Sequence, residues 1–125
     1  MNTAKRILII EDEIPLLNIL SSKLLHEGFV VLEAQNGKDG LAMALSKHPD
    51  LILLDIVLPI MDGVTMLKQL HTDSWGKRAK VIMLTNLSDN QSVVQALALG
   101  SHDFLVKSDW KIEDIVRVIH DELKT

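Results

Sequence analysis

Short apolar runs alternate with longer segments of helical period, and the alternation occurs five times along the chain. The short runs are Arg6 to Ile10, Val30 to Ala34, Leu51 to Leu54, Lys80 to Leu84 and Phe104 to Val106. They are rich in Ile, Leu and Val and are the expected strands. The helical segment Ile14 to Glu27 opens with Pro15 near its first position, puts Leu17, Leu20 and Leu24 on one face and stops at Gly28. Lys38 to Lys47 carries Leu41, Ala44 and Leu45 and ends before His48-Pro49. Val64 to His71 follows the turn signal Asp62-Gly63, and Asn90 to Leu99 ends at Gly100, a natural left-handed cap. In Lys111 to Leu123, residues Ile112, Ile115, Val116, Ile119 and Leu123 form one apolar stripe.

Strands that alternate with helices predict a parallel sheet with right-handed crossovers and helices on both faces. The expected fold is a doubly wound, five-stranded (βα)5 domain of flavodoxin-like type with strand order 2-1-3-4-5. The chain has 125 residues, which suits one domain over residues 1–125, and 47% of them are apolar, as strands buried on both faces require. The formal charge of −4 argues against direct nucleic-acid binding, and the absence of cysteine excludes disulfides and thiolate metal sites. The longest apolar run, Leu51 to Met61, is broken by Asp55 and Pro59 and falls short of the roughly 20 residues that span a bilayer. The apolar stretch Ile7 to Ile10 that follows the basic N-terminus is too short for a signal peptide, so a soluble, cytoplasmic protein without a membrane partner is expected.

In a doubly wound sheet, sites form beyond the carboxyl ends of the strands. The first strand ends in Glu11-Asp12-Glu13, the third in Asp55, the fourth in Thr85 and the fifth in Lys107. With strands one and three adjacent, Glu11, Asp12 and Asp55 converge, and Thr85 and Lys107 approach from the other side. Crowded carboxylates repel one another, and a divalent cation resolves the conflict. Mg²⁺ takes a few carboxylate and carbonyl oxygens and keeps waters that a phosphate oxygen can replace. Given a phosphoryl donor, a carboxylate can act as nucleophile while the metal and Lys107 balance charge on the equatorial oxygens.

The motifs ILIIEDE, PDLILLDIVLPIMDG, VIMLT and DFLVK occur in that order, and from Ile7 to Leu123 the chain resembles the receiver domain of two-component response regulators. The resemblance implies that Asp55 accepts a phosphoryl group from the phosphohistidine of a sensor histidine kinase or a histidine phosphotransfer protein. It implies that Asp12, Asp55 and the Val57 carbonyl bind Mg²⁺, with Glu11 assisting through water. Thr85 would turn to the phosphoryl oxygens, Lys107 would pair with them, and Phe104 would change its burial in step. The readout would be the face of helix four, strand five and helix five, acting on a downstream protein or an effector domain, with a phosphorylation-dependent dimer as a further option.

Each of these residues also has a plainer reading. An acid that ends an apolar strand is often a cap, Thr85 could satisfy a loop amide, Lys107 could be solvated, and Phe104 could be ordinary core. Glu13 reads as surface. The five histidines, His26, His48, His71, His102 and His120, show no ligand spacing, and the methionines read as core filler. Trp75-Gly76-Lys77-Arg78 reads as a solvated loop with one packed indole.

The chain departs from the family's pattern at several positions. Ser108 stands where receivers usually have a proline after the strand-five lysine, so the Lys107–Ser108 bond is either trans with a rearranged loop or a costly cis bond. Ser108 or Asp109 is expected to cap the last helix. Asn86 takes the place of a small residue after Thr85 and borders the pocket, beside Leu87. Val57 and Leu87 are apolar and cannot orient an attacking water, so a long-lived phosphorylated state is expected. The rival readings are a receiver-like module that signals without phosphorylation, an aspartate-nucleophile phosphatase and a nucleotide-binding flavodoxin-like module. The phosphatase reading lacks Asp-x-Asp after the first strand, and the nucleotide reading lacks a phosphate loop there.

Overall fold

The computed structural model describes residues 4–84 and 111–124, and the backbone alone of Thr85 and Asp103–Val106. In chain order the elements are β1 (Arg6–Ile10), α1 (Ile14–His26), β2 (Val30–Ala34), α2 (Gly37–Lys47), β3 (Leu51–Asp55), α3 (Gly63–Leu70), a single 3₁₀ turn at Gly76–Arg78, β4 (Val81–Thr85), β5 (Asp103–Val106) and a C-terminal helix (Ile112–Leu123). The strands form one parallel sheet in the order β2-β1-β3-β4-β5, as the alternation predicts. The segment Asn90 to Leu99, with its Gly100 cap, lies outside the described residues, as does the Lys107–Ser108 bond.

Side chains alternate across a strand with period two, so each buried strand feeds two cores. Leu8, Ile10, Ile52, Leu54 and Met83 point to one face and meet Ala44 of α2 and Met66, Leu67 and Leu70 of α3. Ile7, Ile9, Leu51, Leu53, Ile82 and Leu84 point to the other and meet Leu17, Leu20 and Leu24 of α1 and Ile115, Val116 and Ile119 of the C-terminal helix. Of the predicted helical positions, Leu17, Leu20, Leu24, Ala44, Ile115, Val116 and Ile119 are buried, Leu41, Ile112 and Leu123 are half-buried, and Leu45 is exposed.

Element ends differ from the sequence expectation where side chains complete the first turns. Asn36 caps α2 by accepting the Asp39 amide at 2.8 Å, so the helix begins at Gly37 and not at Lys38. Asp62 caps α3 through the Thr65 amide at 2.7 Å, which makes Gly63 the first helical residue and not the end of a turn. The C-terminal helix corrects the expected cap at Ser108 or Asp109. Its N-cap is Lys111, in extended conformation, whose amide donates to the Asp114 carboxylate at 3.1 Å. Gly28, at φ +95, ends α1 in the left-handed region.

At the end of the sheet away from the strand-end acids, polar contacts tie β1 to the turn between α2 and β3. The Arg6 guanidinium donates to the carbonyls of Lys47 and His48, and the Arg6 amide donates to Asp50 at 2.7 Å. The half-buried Trp75 indole stacks on His48 with ring centroids 4.2 Å apart. Of the described histidines, His26, His48 and His71 sit at helix ends and His120 is an exposed residue of the C-terminal helix. No helix among the described residues is long and apolar enough to cross a membrane.

Two stability predictions follow from this packing. Leu53→Ala, in the central strand at 0% exposure, should cost about 2–5 kcal/mol in urea unfolding. Leu25→Ala, at 58% exposure, should stay within about 0.5 kcal/mol. Burial lowers the pKa of His71 from its ordinary 6.5, so the unfolded chain takes up this proton more readily than the native one. Stability should therefore decline as pH falls through 6.5 toward the lower native value. In His71→Gln, that decline in the urea midpoint between pH 7 and 5 should be shallower.

Candidate metal and phosphoryl site

β1 and β3 are neighbours in a register that pairs Ile10 with Leu54, so the next residue of each strand brings Glu11 level with Asp55. Glu11 is held at that level because its amide continues the sheet, donating to the Ala34 carbonyl at 3.0 Å. Its side chain is fully buried, and one carboxylate oxygen accepts the Glu13 amide at 3.2 Å. Asp55 closes β3 at 3% exposure, and its Oδ1 accepts the Val57 amide at 3.3 Å. Asp12 is exposed at the mouth. Glu13 faces solvent, as its sequence reading had it.

The three acids Glu11, Asp12 and Asp55 each offer an oxygen within 4.8 Å of the others'. Among the described residues this is the one cluster of metal-ligating side chains, and no histidine joins it. Its donors are all oxygen, two buried and one exposed, which suits a hard divalent cation and not a thiolate- or imidazole-preferring metal. Asp12, the exposed member, is reached by solvent.

The other expected site residues divide into those whose backbone is placed and those outside the described residues. Asp55 pairs with Leu84, so Thr85 follows one position beyond the acid on the neighbouring strand. Thr85 in turn pairs with Val106, and Phe104 pairs with Met83 within β5. Asn86, Leu87, Lys107 and Ser108 lie outside the described residues. Val57 lies in the loop after β3 and is 60% exposed.

That β3–α3 loop holds contacts that no sequence pattern marked in advance. The Gly63 amide donates to the Ile56 carbonyl at 2.8 Å, and a Cβ on Gly63 would lie 2.2 Å from the Asp55 carbonyl oxygen. Only glycine allows α3 to start this close to the acid. Ile60 sits at φ +70, and the Met61 carbonyl accepts the Gly37 amide from α2 at 3.0 Å. The pair Asn36-Gly37 was the available signal, since Asn before Gly ahead of a helical run is a cap-and-turn pattern.

A family model, the response regulator receiver domain, matches residues 7–120. The probable transcriptional regulatory protein SilR of Salmonella typhimurium is 40% identical over 113 residues, which cover 90% of this chain and 49% of SilR. A CheY-like response regulator receiver domain protein from Methanospirillum hungatei superposes with a TM-score of 0.90 at 30% identity, over 98% of this chain and 95% of its own. The receiver domain of the sensor histidine kinase PA1611 from Pseudomonas aeruginosa shares the fold, with a TM-score of 0.89 at 24% identity, over 98% of this chain and all of its own, and holds a magnesium ion in its active-site cleft. The chain belongs to the response regulator receiver domain family. Membership places it among phosphorylation-dependent signalling regulators and not among metabolic enzymes. It spans less than half the length of these curated relatives, 49% of SilR and 42% of the probable transcriptional regulator ycf27 of Cyanophora paradoxa.

Like charges this close oppose one another in the metal-free protein. Asp12→Asn should therefore raise the metal-free melting temperature by a few degrees at low salt, and the gain should shrink as salt is added. Differential scanning calorimetry across an ionic-strength series checks both.

Proposed function

We propose that the chain is a phosphorylation switch in which Asp55 takes a phosphoryl group from the phosphohistidine of a sensor histidine kinase or a histidine phosphotransfer protein. The single observation that carries this is the convergence of Glu11, Asp12 and Asp55 at the carboxyl edge of a receiver-family sheet. The fit of the all-oxygen donor set and the magnesium in the PA1611 receiver domain both favour Mg²⁺ as the resident ion. Asp12, Asp55 and the Val57 carbonyl would hold it, with Glu11 assisting through water. When bound, it supplies positive charge against the phosphoryl oxygens.

The chain's own residues do the rest. An Asp55 carboxylate oxygen attacks phosphorus, the P–N bond of the donor breaks, and its electron pair stays on the donor imidazole. The product is an aspartyl phosphate. Burial of Asp55 limits water at the nucleophile. Lys107 pairs with the new phosphoryl oxygens, and the Thr85 hydroxyl turns to donate to one of them. Phe104 follows that movement, and the helix 4/strand 5/helix 5 face changes what it binds.

The partners in this reading are a kinase on the input side and, on the output side, a downstream protein or an effector domain, with a phosphorylation-dependent dimer as one form of output. The domain binds no nucleic acid itself and works in the cytoplasm. Its chemistry is confined to its own phosphorylation and later hydrolysis. Val57 and Leu87 present no group that would orient an attacking water, which favours a long-lived phosphoryl state.

Acetyl phosphate with Mg²⁺ should add one phosphoryl group by intact mass, and Asp55→Asn should add none. An adduct that persists in Asp55→Asn would remove Asp55 from its role. No adduct on the wild type, with a normal response to a kinase-bound partner, would favour a receiver-like module that signals without phosphate. Replacing Val57 with Glu should shorten the lifetime of the phosphorylated form several-fold in Mg²⁺ buffer, read by loss of the mass adduct.

A further inference from the structure

The β3–α3 loop that carries Val57 is tied down at two points. At its base, the Gly63 amide closes on the Ile56 carbonyl at 2.8 Å. At its shoulder, the Gly37 amide of α2 donates to the Met61 carbonyl at 3.0 Å. Between them, the Met61 amide donates to the Pro59 carbonyl at 2.7 Å, a three-residue γ-turn centred on Ile60. Ile60 is β-branched and sits at φ +70, a conformation such residues resist, and its side chain is 78% exposed. Packing of Ile60 therefore does not hold the turn. Strain of this kind persists where the surroundings impose it, and the neighbouring contact is the one from Gly37 to Met61.

Gly37 is not glycine for conformational reasons, because Gly28 is the described glycine with positive φ. It is glycine for space. A Cβ at position 37 would lie 2.1 Å from the Met61 carbonyl oxygen, 2.8 Å from its carbon and 3.1 Å from its Cβ. The first two obstacles are backbone, so relief requires the loop itself to retreat by roughly an ångström, a displacement that matters to a site built from oxygen ligands. On the other side, the start of α2 is firm. The buried Asn36 accepts the Asp39 amide at 2.8 Å and donates to the Asp39 carboxylate at 2.9 Å.

We propose that Gly37 is a positioning residue for the acidic site: its close approach to Met61 sets the β3–α3 loop, and through it the Val57 carbonyl, relative to Asp12 and Asp55. The inference rests on the Mg²⁺ reading above. It assigns to α2, an element with no ligand of its own, part of the affinity for the ion.

Linkage gives a test in the wild-type protein. If opening the Gly37–Met61 bond weakens Mg²⁺ binding about tenfold, saturating MgCl₂ must slow exchange of the Gly37 amide by the same factor. The Glu27 amide, bonded to Lys23 at 3.0 Å at the far end of α1, serves as the reference and should change much less. In an NMR titration with MgCl₂, Gly37→Ala should keep its fold by far-UV circular dichroism and bind at least about tenfold more weakly. Gly40→Ala is the structural control. It lies on the same helix, and its added Cβ would meet the Ile10 side chain at 2.5 Å, so it should lose stability while keeping Mg²⁺ affinity within about twofold. Unchanged Gly37 exchange in Mg²⁺-loaded wild type overturns the inference even if Gly37→Ala fails to fold. So does wild-type affinity in a folded Gly37→Ala, or equal weakening in Gly40→Ala. Absence of Mg²⁺ binding by the wild type overturns the metal reading itself and this inference with it.

Discussion

The parallel pairing of β1 with β3 is the constraint on which the rest depends. Ile10 lies opposite Leu54, so two chain segments more than forty positions apart end their apolar runs at the same level and deliver Glu11 and Asp55 side by side. Parallel neighbours cannot be joined by a tight turn, and here α1, the edge strand β2 and α2 lie between them. The apolar strands supply the burial that holds the acids in place against their mutual repulsion. A register shift of one residue would turn the side chains of β3 to the opposite cores and take Asp55 away from the cluster.

The helices do more than cover the sheet. α3 begins at Gly63, in near contact with the Asp55 carbonyl, and α2 begins at Gly37, in near contact with Met61. Both helix starts are fastened by side-chain caps, Asp62 and Asn36. The loop beside the acids is therefore held by the first turns of two helices that pack on one face of the sheet. The other face, with α1 and the C-terminal helix, holds the same strands through a separate set of side chains.

Much of the molecule was legible in the residues alone. The five apolar runs became the five strands, and the stripes Leu17-Leu20-Leu24 and Ile115-Val116-Ile119 became the buried faces of their helices, because a strand covered on both faces reads as a continuous apolar run and a helix covered on one face repeats every 3.6 residues. The acids at the ends of β1 and β3 were legible for the same reason: an acid that interrupts an apolar strand pattern stands out locally. Helix starts were misplaced by one residue at Gly37 and Gly63, since glycine weighs against a helix unless the space it leaves is known. The cap of the C-terminal helix was misplaced further. Ser108 and Asp109 have the better intrinsic preference, yet the chain enters the helix at Lys111, with Asp114 reaching back to its amide.

Local pattern thus determined the elements, the two-faced burial and the identity of the acidic residues, all of which depend on side-chain chemistry repeated at short range. Tertiary structure decided how those acids meet and what steadies the loop beside them. The 4.8 Å clustering of Glu11, Asp12 and Asp55 comes from strand register, and the roles of Gly37, Ile60 and Gly63 come from backbone approaches between segments distant in sequence. Neither leaves a periodic trace. A glycine chosen because another backbone lies 2.1 Å from where its Cβ would be looks, along the chain, like any other glycine.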